Sequence, residues 1–216
     1  MPLARRFALL RWAAAARALV IEDDYDSEFR HRGRPLAALY GLDEAGCVVY
    51  AGTFSKSLFP GLRIGFFVAP QGLVDAFAAA RAALPPPAAT LDQATLAAFL
   101  ADGHFATHLR RMRATYRERG EALRAALAAD CAGALDPLPC DTGMQLVAQL
   151  VLPAAITDRA VATHAAELGV EVGALSTYTL RRRMRGLVFG FGGVRPPQIR
   201  TGTRLLARAL ERSRRP

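Results

Sequence analysis

The sequence predicts an α/β fold, and three observations predict it. Short apolar runs recur between stretches with helical periodicity. Polar clusters follow the first two of those runs, where strands of an α/β sheet end and ligands bind. Of the 216 residues 52% are apolar, enough for a sizeable core.

Taken in order, Ala4 to Ala18 reads as an amphipathic helix with Phe7, Leu10 and Ala14 on one face. Ala18 to Ile21 is a short apolar strand, followed by the acidic cluster Glu22-Asp23-Asp24-Tyr25-Asp26. Val48 to Ala51 is a second strand, leading into Gly52-Thr53-Phe54-Ser55-Lys56. Arg63 to Val68 is a third, and Gln71 to Leu84 spaces Leu73, Phe77 and Ala80 as a helix. Pro85-Pro86-Pro87 is a hard break. Thr90 is placed to cap a helix to Ala101, and Ala106 to Leu127 fits one long helix. Beyond Pro137, Gln145 to Leu152 alternates as a strand, and Asp158 to Leu168 is helical with Gly169 ending it. Val170 to Val172 and Leu187 to Phe191 read as strands, and Pro197 to Arg212 as a final helix. A boundary near Gly103 divides the chain into domains 1–102 and 103–216.

The net charge of +9 is spread along the chain, with one cluster, Arg181-Arg182-Arg183-Met184-Arg185. That cluster reads as a solvated face or an interface rather than a nucleic-acid site. No apolar run reaches the roughly 18 to 20 residues of a membrane span. Arg11 and Arg17 interrupt the Ala-rich start, which argues against a signal peptide. Cys47, Cys131 and Cys140 lack metal-type spacing and suit packing roles in a reducing cytoplasm. His31, His104, His108 and His164 form no ligand set and read as surface or packing residues, so no metal is expected.

The 28 Lys and Arg residues comprise 27 arginines and a single lysine, Lys56. Arginine replaces lysine as a surface cation but cannot serve as an amine nucleophile. Lys56 is therefore the one side chain able to form a Schiff base, and its neighbours suit pyridoxal 5'-phosphate (PLP). That cofactor needs a carboxylate on the pyridine nitrogen, a donor to the phenolic oxygen, and hydroxyls and a cation for the phosphate. Asp23 is assigned to the nitrogen and Tyr25 to the phenolic oxygen, because residues two apart on a strand share a face. Glu22 and Asp24 then face the other side. Thr53 and Arg63 suit the phosphate, with Ser55 as a further candidate. Each residue also has a plainer role: Asp23 as a cap, Tyr25 as a half-buried ring, Arg63 in an ion pair, Thr53 and Ser55 in a turn, Lys56 as a surface charge. The spacing of the whole set, not any single member, favours the cofactor.

These residues lie in Glu22-Asp23-Asp24-Tyr25-Asp26-Ser27-Glu28-Phe29-Arg30, Gly33-Arg34-Pro35-Leu36 and Gly52-Thr53-Phe54-Ser55-Lys56-Ser57-Leu58-Phe59-Pro60-Gly61-Leu62-Arg63-Ile64-Gly65. Together they resemble the MocR-type regulators of the GntR family. Such proteins join a winged-helix DNA-binding domain to a fold type I aminotransferase-like domain. The resemblance implies the C-terminal part of that fold: part of the large PLP-binding domain, then a small C-terminal α/β domain. It implies Lys56 as the Schiff-base lysine, Asp23 and Tyr25 on the ring, Arg63 on the phosphate, and a homodimer. It also implies that DNA is bound only through a winged-helix domain missing from this chain, as the first half of the aminotransferase-like domain is also expected to be. The family often carries a carboxylate-gripping arginine after Leu-Ser in the segment 172–178. Here Thr177 follows Leu175-Ser176, so only an arginine among Arg181 to Arg185 could substitute.

Three functions fit. One is a cytoplasmic effector-sensing domain that binds an amine or amino acid. Another is a working aminotransferase. The third is a truncated, non-functional remnant that folds poorly and binds no cofactor.

Overall fold

The computed structural model describes residues 1–31, 33, 37–84, 90–180 and 184–214. The chain forms two compact units, Met1–Glu28 with Gly33–Leu109, and Phe29–Arg32 with Arg110–Pro216.

The first unit begins with α1 (Leu3–Ala16), which ends where Arg17 turns left-handed at φ 51. Leu10 and Ala13 of α1 pack with Leu39, Cys47 and Val48 in a small core. Strand β1 (Val20–Asp24) runs parallel to β2 (Val48–Thr53), with Val20 opposite Val48 and Asp24 opposite Gly52. A single helical turn, α2 (Phe54–Ser57), follows at once. Strand β3 (Gly65–Val68) returns antiparallel to β2, with Thr53 opposite Gly65. Helices α3 (Val74–Ala82) and α4 (Thr90–Ala101) come next. Gly103, at φ +75, separates α4 from α5 (His104–Asp130), whose first turns belong to this unit. The sheet is uneven. Val48 and Val49 are buried, but apolar side chains stay exposed on both faces: Ile21 (74%) and Phe67 (49%) on one, Phe66 (40%) and Val68 (37%) on the other.

The second unit holds an antiparallel sheet in the order β4-β5-β7-β6. Its strands are β4 (Leu135–Pro137), β5 (Gln145–Leu150), β6 (Gly173–Ala174) and β7 (Gly186–Gly190). Helix α6 (Asp158–Glu167) lies between β5 and β6 in sequence, and α7 (Pro196–Ser213) closes the chain. Leu127, Leu146, Val161, Leu187 and Leu206 form the centre of a core far larger than that of the first unit. Phe29 is fully buried here, edge-on to Tyr116 at 4.9 Å. Asp158 is buried yet well served. It accepts bonds from the Ser176 N–H (2.8 Å), the Ser176 hydroxyl (2.7 Å) and the Gly186 N–H (3.1 Å).

Several elements depart from expectation for visible reasons. The first strand runs on through Asp24, despite the poor strand propensity of acids. Glu22 accepts the Leu39 and Tyr40 N–H groups (2.8 and 3.0 Å), and Asp24 is likewise bonded, so neither half-buried carboxylate is stranded. The third strand starts at Gly65, because Arg63 is left-handed at φ 52 after the turn Pro60–Leu62. The helix expected from Gln71 opens as a 3-10 turn and becomes α-helical only from Val74. The strand expected at Val170–Val172 is displaced to Gly173–Ala174. Val170 N–H is spent on the Ala165 carbonyl (2.9 Å), closing α6 with Gly169 left-handed. The first compact unit extends through Leu109. His108 Nε2 bonds the Ser57 carbonyl (2.9 Å) and Phe105 meets Phe54 at 5.7 Å, holding the start of α5 to the first unit.

Candidate active site

The topology of the first unit gathers the sequence motifs at one sheet edge. Parallel strands end on the same side, so the residues after β1 and after β2 leave together. Because β3 is antiparallel to β2, its start lies at that edge too, and Phe54 N–H bonds the Ile64 carbonyl (3.0 Å). The loop from Lys56 to Arg63 thus returns to where it began.

Within that edge the pleat sorts the acidic run. Ile21, Asp23 and Tyr25 are exposed, while Glu22, Asp24 and Asp26 are half-buried. Asp23 pairs with Ala51, and Thr53 lies two residues beyond Ala51, so Asp23 and Thr53 share a face. Lys56 is exposed on α2, and its ammonium lies within electrostatic reach of Asp26. Thr53 Oγ1 accepts the Ser55 N–H (3.1 Å) and so caps α2, a structural task for both residues. Arg63 is exposed and left-handed just before β3, a costly backbone state for a residue with a Cβ. Lys56, Asp23, Tyr25, Thr53, Ser55 and Arg63 therefore all belong to one edge of one unit. An amine, a carboxylate, a phenol, hydroxyls and a guanidinium form the donor set that PLP needs.

Behind the exposed face lies an electrostatic layer that the sequence did not single out. Asp24 Oδ2 accepts the Ser27 hydroxyl (2.6 Å) and the Tyr50 hydroxyl (3.0 Å), and its Oδ1 accepts the Ser27 N–H (3.2 Å). Burial and the Asp24 bond push the Tyr50 phenol well above its ordinary range. Burial also raises the Asp26 carboxyl, as does the charge of Asp24, while Lys56 pulls it the other way. The signal for Asp26 was present in the two-residue alternation of the acidic run.

Elsewhere, Thr177 hydroxyl donates to the Ala174 carbonyl (2.7 Å) and is spent within its own turn. Arg181 to Arg183 lie outside the described residues. Arg185 does not stand free as a substitute carboxylate grip. Its guanidinium bonds the carbonyls of Leu152 (2.9 Å), Pro153 (2.8 Å) and Ile156 (2.9 Å). The histidines have local partners as well: His31 bonds the Gly143 carbonyl, His164 bonds Ser213, and His104 stacks on Phe99. The three cysteines are free thiols. Among the described residues no group of three or more His, Cys, Asp or Glu could hold a metal ion, and no helix is long and apolar enough to cross a membrane.

An α/β architecture with these residues at one strand-end edge is that of the fold type I aminotransferases. The aminotransferase class I and II family model matches residues 8–185, and the chain belongs to that family. It is 41% identical over 95% of its length to the probable rhizopine catabolism regulatory protein MocR of Rhizobium meliloti, covering 41% of that protein. It is 34% identical over 97% of its length to the uncharacterized HTH-type transcriptional regulator YhdI of Bacillus subtilis, covering 44% of it. Among solved structures it superposes on Pyrococcus horikoshii kynurenine aminotransferase with a TM-score of 0.87. The two are 26% identical, and the match covers 100% of this chain and 53% of the other. The chain thus spans less than half the length of these curated relatives.

Proposed function

We propose that this chain is the PLP-binding, effector-sensing part of a MocR-type transcriptional regulator, with Lys56 as the amine that carries the cofactor. The observation that carries the reading is the placement of the sole lysine at the same sheet edge as Asp23, Tyr25, Thr53 and Arg63. The similarity to HTH-type regulators supports a sensing role, and the kynurenine aminotransferase, solved with PMP, supports the cofactor class.

When bound, PLP supplies an electron sink through its protonated pyridine ring. Asp23 offers the carboxylate that keeps the ring nitrogen protonated. Tyr25 offers its hydroxyl to the phenolic oxygen. Arg63 and the Thr53–Ser55 turn are the candidates for the phosphate. The ligand sensed is a small amine or amino acid, able to exchange with the Lys56 amine. The setting is cytoplasmic and the working form a homodimer. DNA contact belongs to an HTH domain of the kind named in the relatives.

The test is spectroscopic. Purified protein given PLP is expected to develop an absorption band near about 420 nm, lost in Lys56→Ala and in Lys56→Arg. Absence of the band in the wild-type protein overturns the reading. Steady conversion of an amino acid and a keto acid would move the assignment from sensor to aminotransferase.

A further inference from the structure

The sheet of the second unit splays apart at one edge. Strand β6 meets β7 at Gly173–Val188 and Ala174–Leu187, and the same register would next bring Val172 to Phe189 and Glu171 to Gly190. Among the described residues neither pair forms. Phe191 N–H bonds the Met144 carbonyl (3.0 Å) and Leu150 N–H bonds the Arg185 carbonyl (2.9 Å), so every second residue from Arg185 to Phe191 turns its peptide groups toward β5. Those of Gly190 face the other way, across the gap to Glu171, and have no main-chain partner there. A groove of about 500 Å³ lies between the two stretches. Val172, Phe189, Val194 and Ile199 are among its apolar walls, and the exposed Glu171 and Gln198 line it too. Gln198 Oε1 is taken by the Arg195 N–H (3.1 Å), which leaves the amide hydrogens to donate. Two glycines keep the groove open. Gly202 sits inside α7, where alanine is the better helix former. A Cβ on Gly202 or on Gly190 would meet nothing within 4 Å, and neither residue is at positive φ. Neither packing against the protein nor backbone conformation demands glycine at these positions.

We propose that this groove binds a free α-amino acid with a branched or aromatic apolar side chain. Such a molecule offers what the gap lacks. Its carboxylate meets the Gly190 N–H and the Gln198 amide, and its ammonium meets the Glu171 carboxylate and the Gly190 carbonyl. Its side chain covers the apolar walls, in the space that Gly202 leaves free. The ligand thus stands in for the missing strand pairs and ties the stretch after α6 to β7. The groove belongs wholly to the second unit, so the inference does not rest on the cofactor reading.

The test is a titration of the PLP-free 216-residue protein with L-leucine and L-phenylalanine, followed by amide NMR. Saturable shifts are expected at the Glu171, Gly190 and Gly202 amides, with a dissociation constant of about 1 mM or tighter, as the small number of ligand atoms allows. Isocaproate and isoamylamine, which each lack one charged group of leucine, should bind more weakly. Glu171→Gln should weaken leucine binding about two- to five-fold, the size of an exposed ion pair, and leave isocaproate unchanged. Gly202→Leu should weaken both amino acids by about ten-fold or more, because its side chain stands where the ligand's would. Gly202→Ala should bind as wild type does. Should Gly202→Leu fail to fold, the wild-type shift map and the Glu171→Gln contrast decide. No saturable shift at the three amides at about 10 mM of either amino acid, well above the expected constant, overturns the proposal. So do leucine shifts confined to residues 20–66, which would put the ligand at the Lys56 edge. Equal binding of leucine, isocaproate and isoamylamine also overturns it, since the groove would then take any apolar molecule.

Discussion

Asp158 offers the most direct quantitative check on the second unit. Its carboxylate is 1% exposed and binds two backbone N–H groups and one hydroxyl, tying the start of α6 to the turn Leu175–Tyr178 and to β7. Asp158→Ala strands both N–H groups, at about 1–2 kcal/mol each, and loses a hydroxyl bond worth about 1 kcal/mol more. The expected cost is about 3–5 kcal/mol. Asp158→Asn keeps an acceptor oxygen for the N–H groups, and Ser176 can turn to accept from the new amide. Its cost is the lost charge assistance, about 1–2 kcal/mol. With a slope of about 2 kcal/mol per M urea, the alanine variant should unfold about 2 M earlier than wild type and the asparagine variant less than 1 M earlier. Urea titration by circular dichroism reads both shifts. Hydrogen exchange at the Gly186 amide places them at this site. Equal shifts for the two variants, or an alanine shift under about 0.5 M, would refute the view that stranded donors set the cost.

Further expectations follow from the same geometry. A Cβ on Gly186 would lie 2.4 Å from the Ala148 carbonyl oxygen, a backbone atom that cannot withdraw, so Gly186→Ala should cost about 3 kcal/mol or more. On Gly52 the obstacle is the Phe66 ring at 2.6 Å, a side chain 40% exposed and free to swing, so Gly52→Ala should cost about 1 kcal/mol by thermal melt. Burial works against the ionised Asp158 carboxyl, but the bonds from Ser176 and Gly186 outweigh it and depress the group. Its stabilisation is therefore present above the unfolded value of about 3.9 and lost as pH falls through the folded one. Acid titration of wild type should be steeper below pH about 4 than that of Asp158→Asn. Asp26 has the opposite sign: its raised folded value removes stability as pH rises, so Asp26→Asn should melt no lower than wild type at neutral pH. Arg17 and Arg63 are the two described non-glycine residues at positive φ. Glycine at either should stabilise by about 0.5–1 kcal/mol, but only Arg63→Gly should weaken PLP binding in a titration of the 420 nm band, at about that wavelength.

Much of this was readable from the chain itself. Helical periodicity located the long helices to within a few residues, although Thr90, expected as the cap of α4, is the first residue within it (Thr90–Ala101). What escaped was set by partners distant in sequence. Strand β4 is three residues ending in Pro137, too short for any period, and exists only because Leu135 pairs with Leu150. Strand β1 continues into the acids because N–H donors from Leu39 and Tyr40 and hydroxyls from Ser27 and Tyr50 meet them. The candidate site was legible as a set of residue types, since an amine, a carboxylate and a phenol must be written in the chain. That Arg63 joins them depended on the antiparallel return of β3, which no local pattern in the sequence fixes. The layer of Asp24, Tyr50 and Asp26 behind the site is a matter of strand register and burial.

The exposed apolar side chains of the first unit's sheet have a practical consequence. Ile21 and Phe67 stand largely in water while the second unit closes around its own centre. A hydrophobic dye such as ANS should therefore light up on residues 1–216 in their native fold. Fluorescence of that kind, commonly taken as the mark of a molten globule, would here report a solid surface rather than a loosened interior, and only the loss of fixed side-chain signals could tell the two apart.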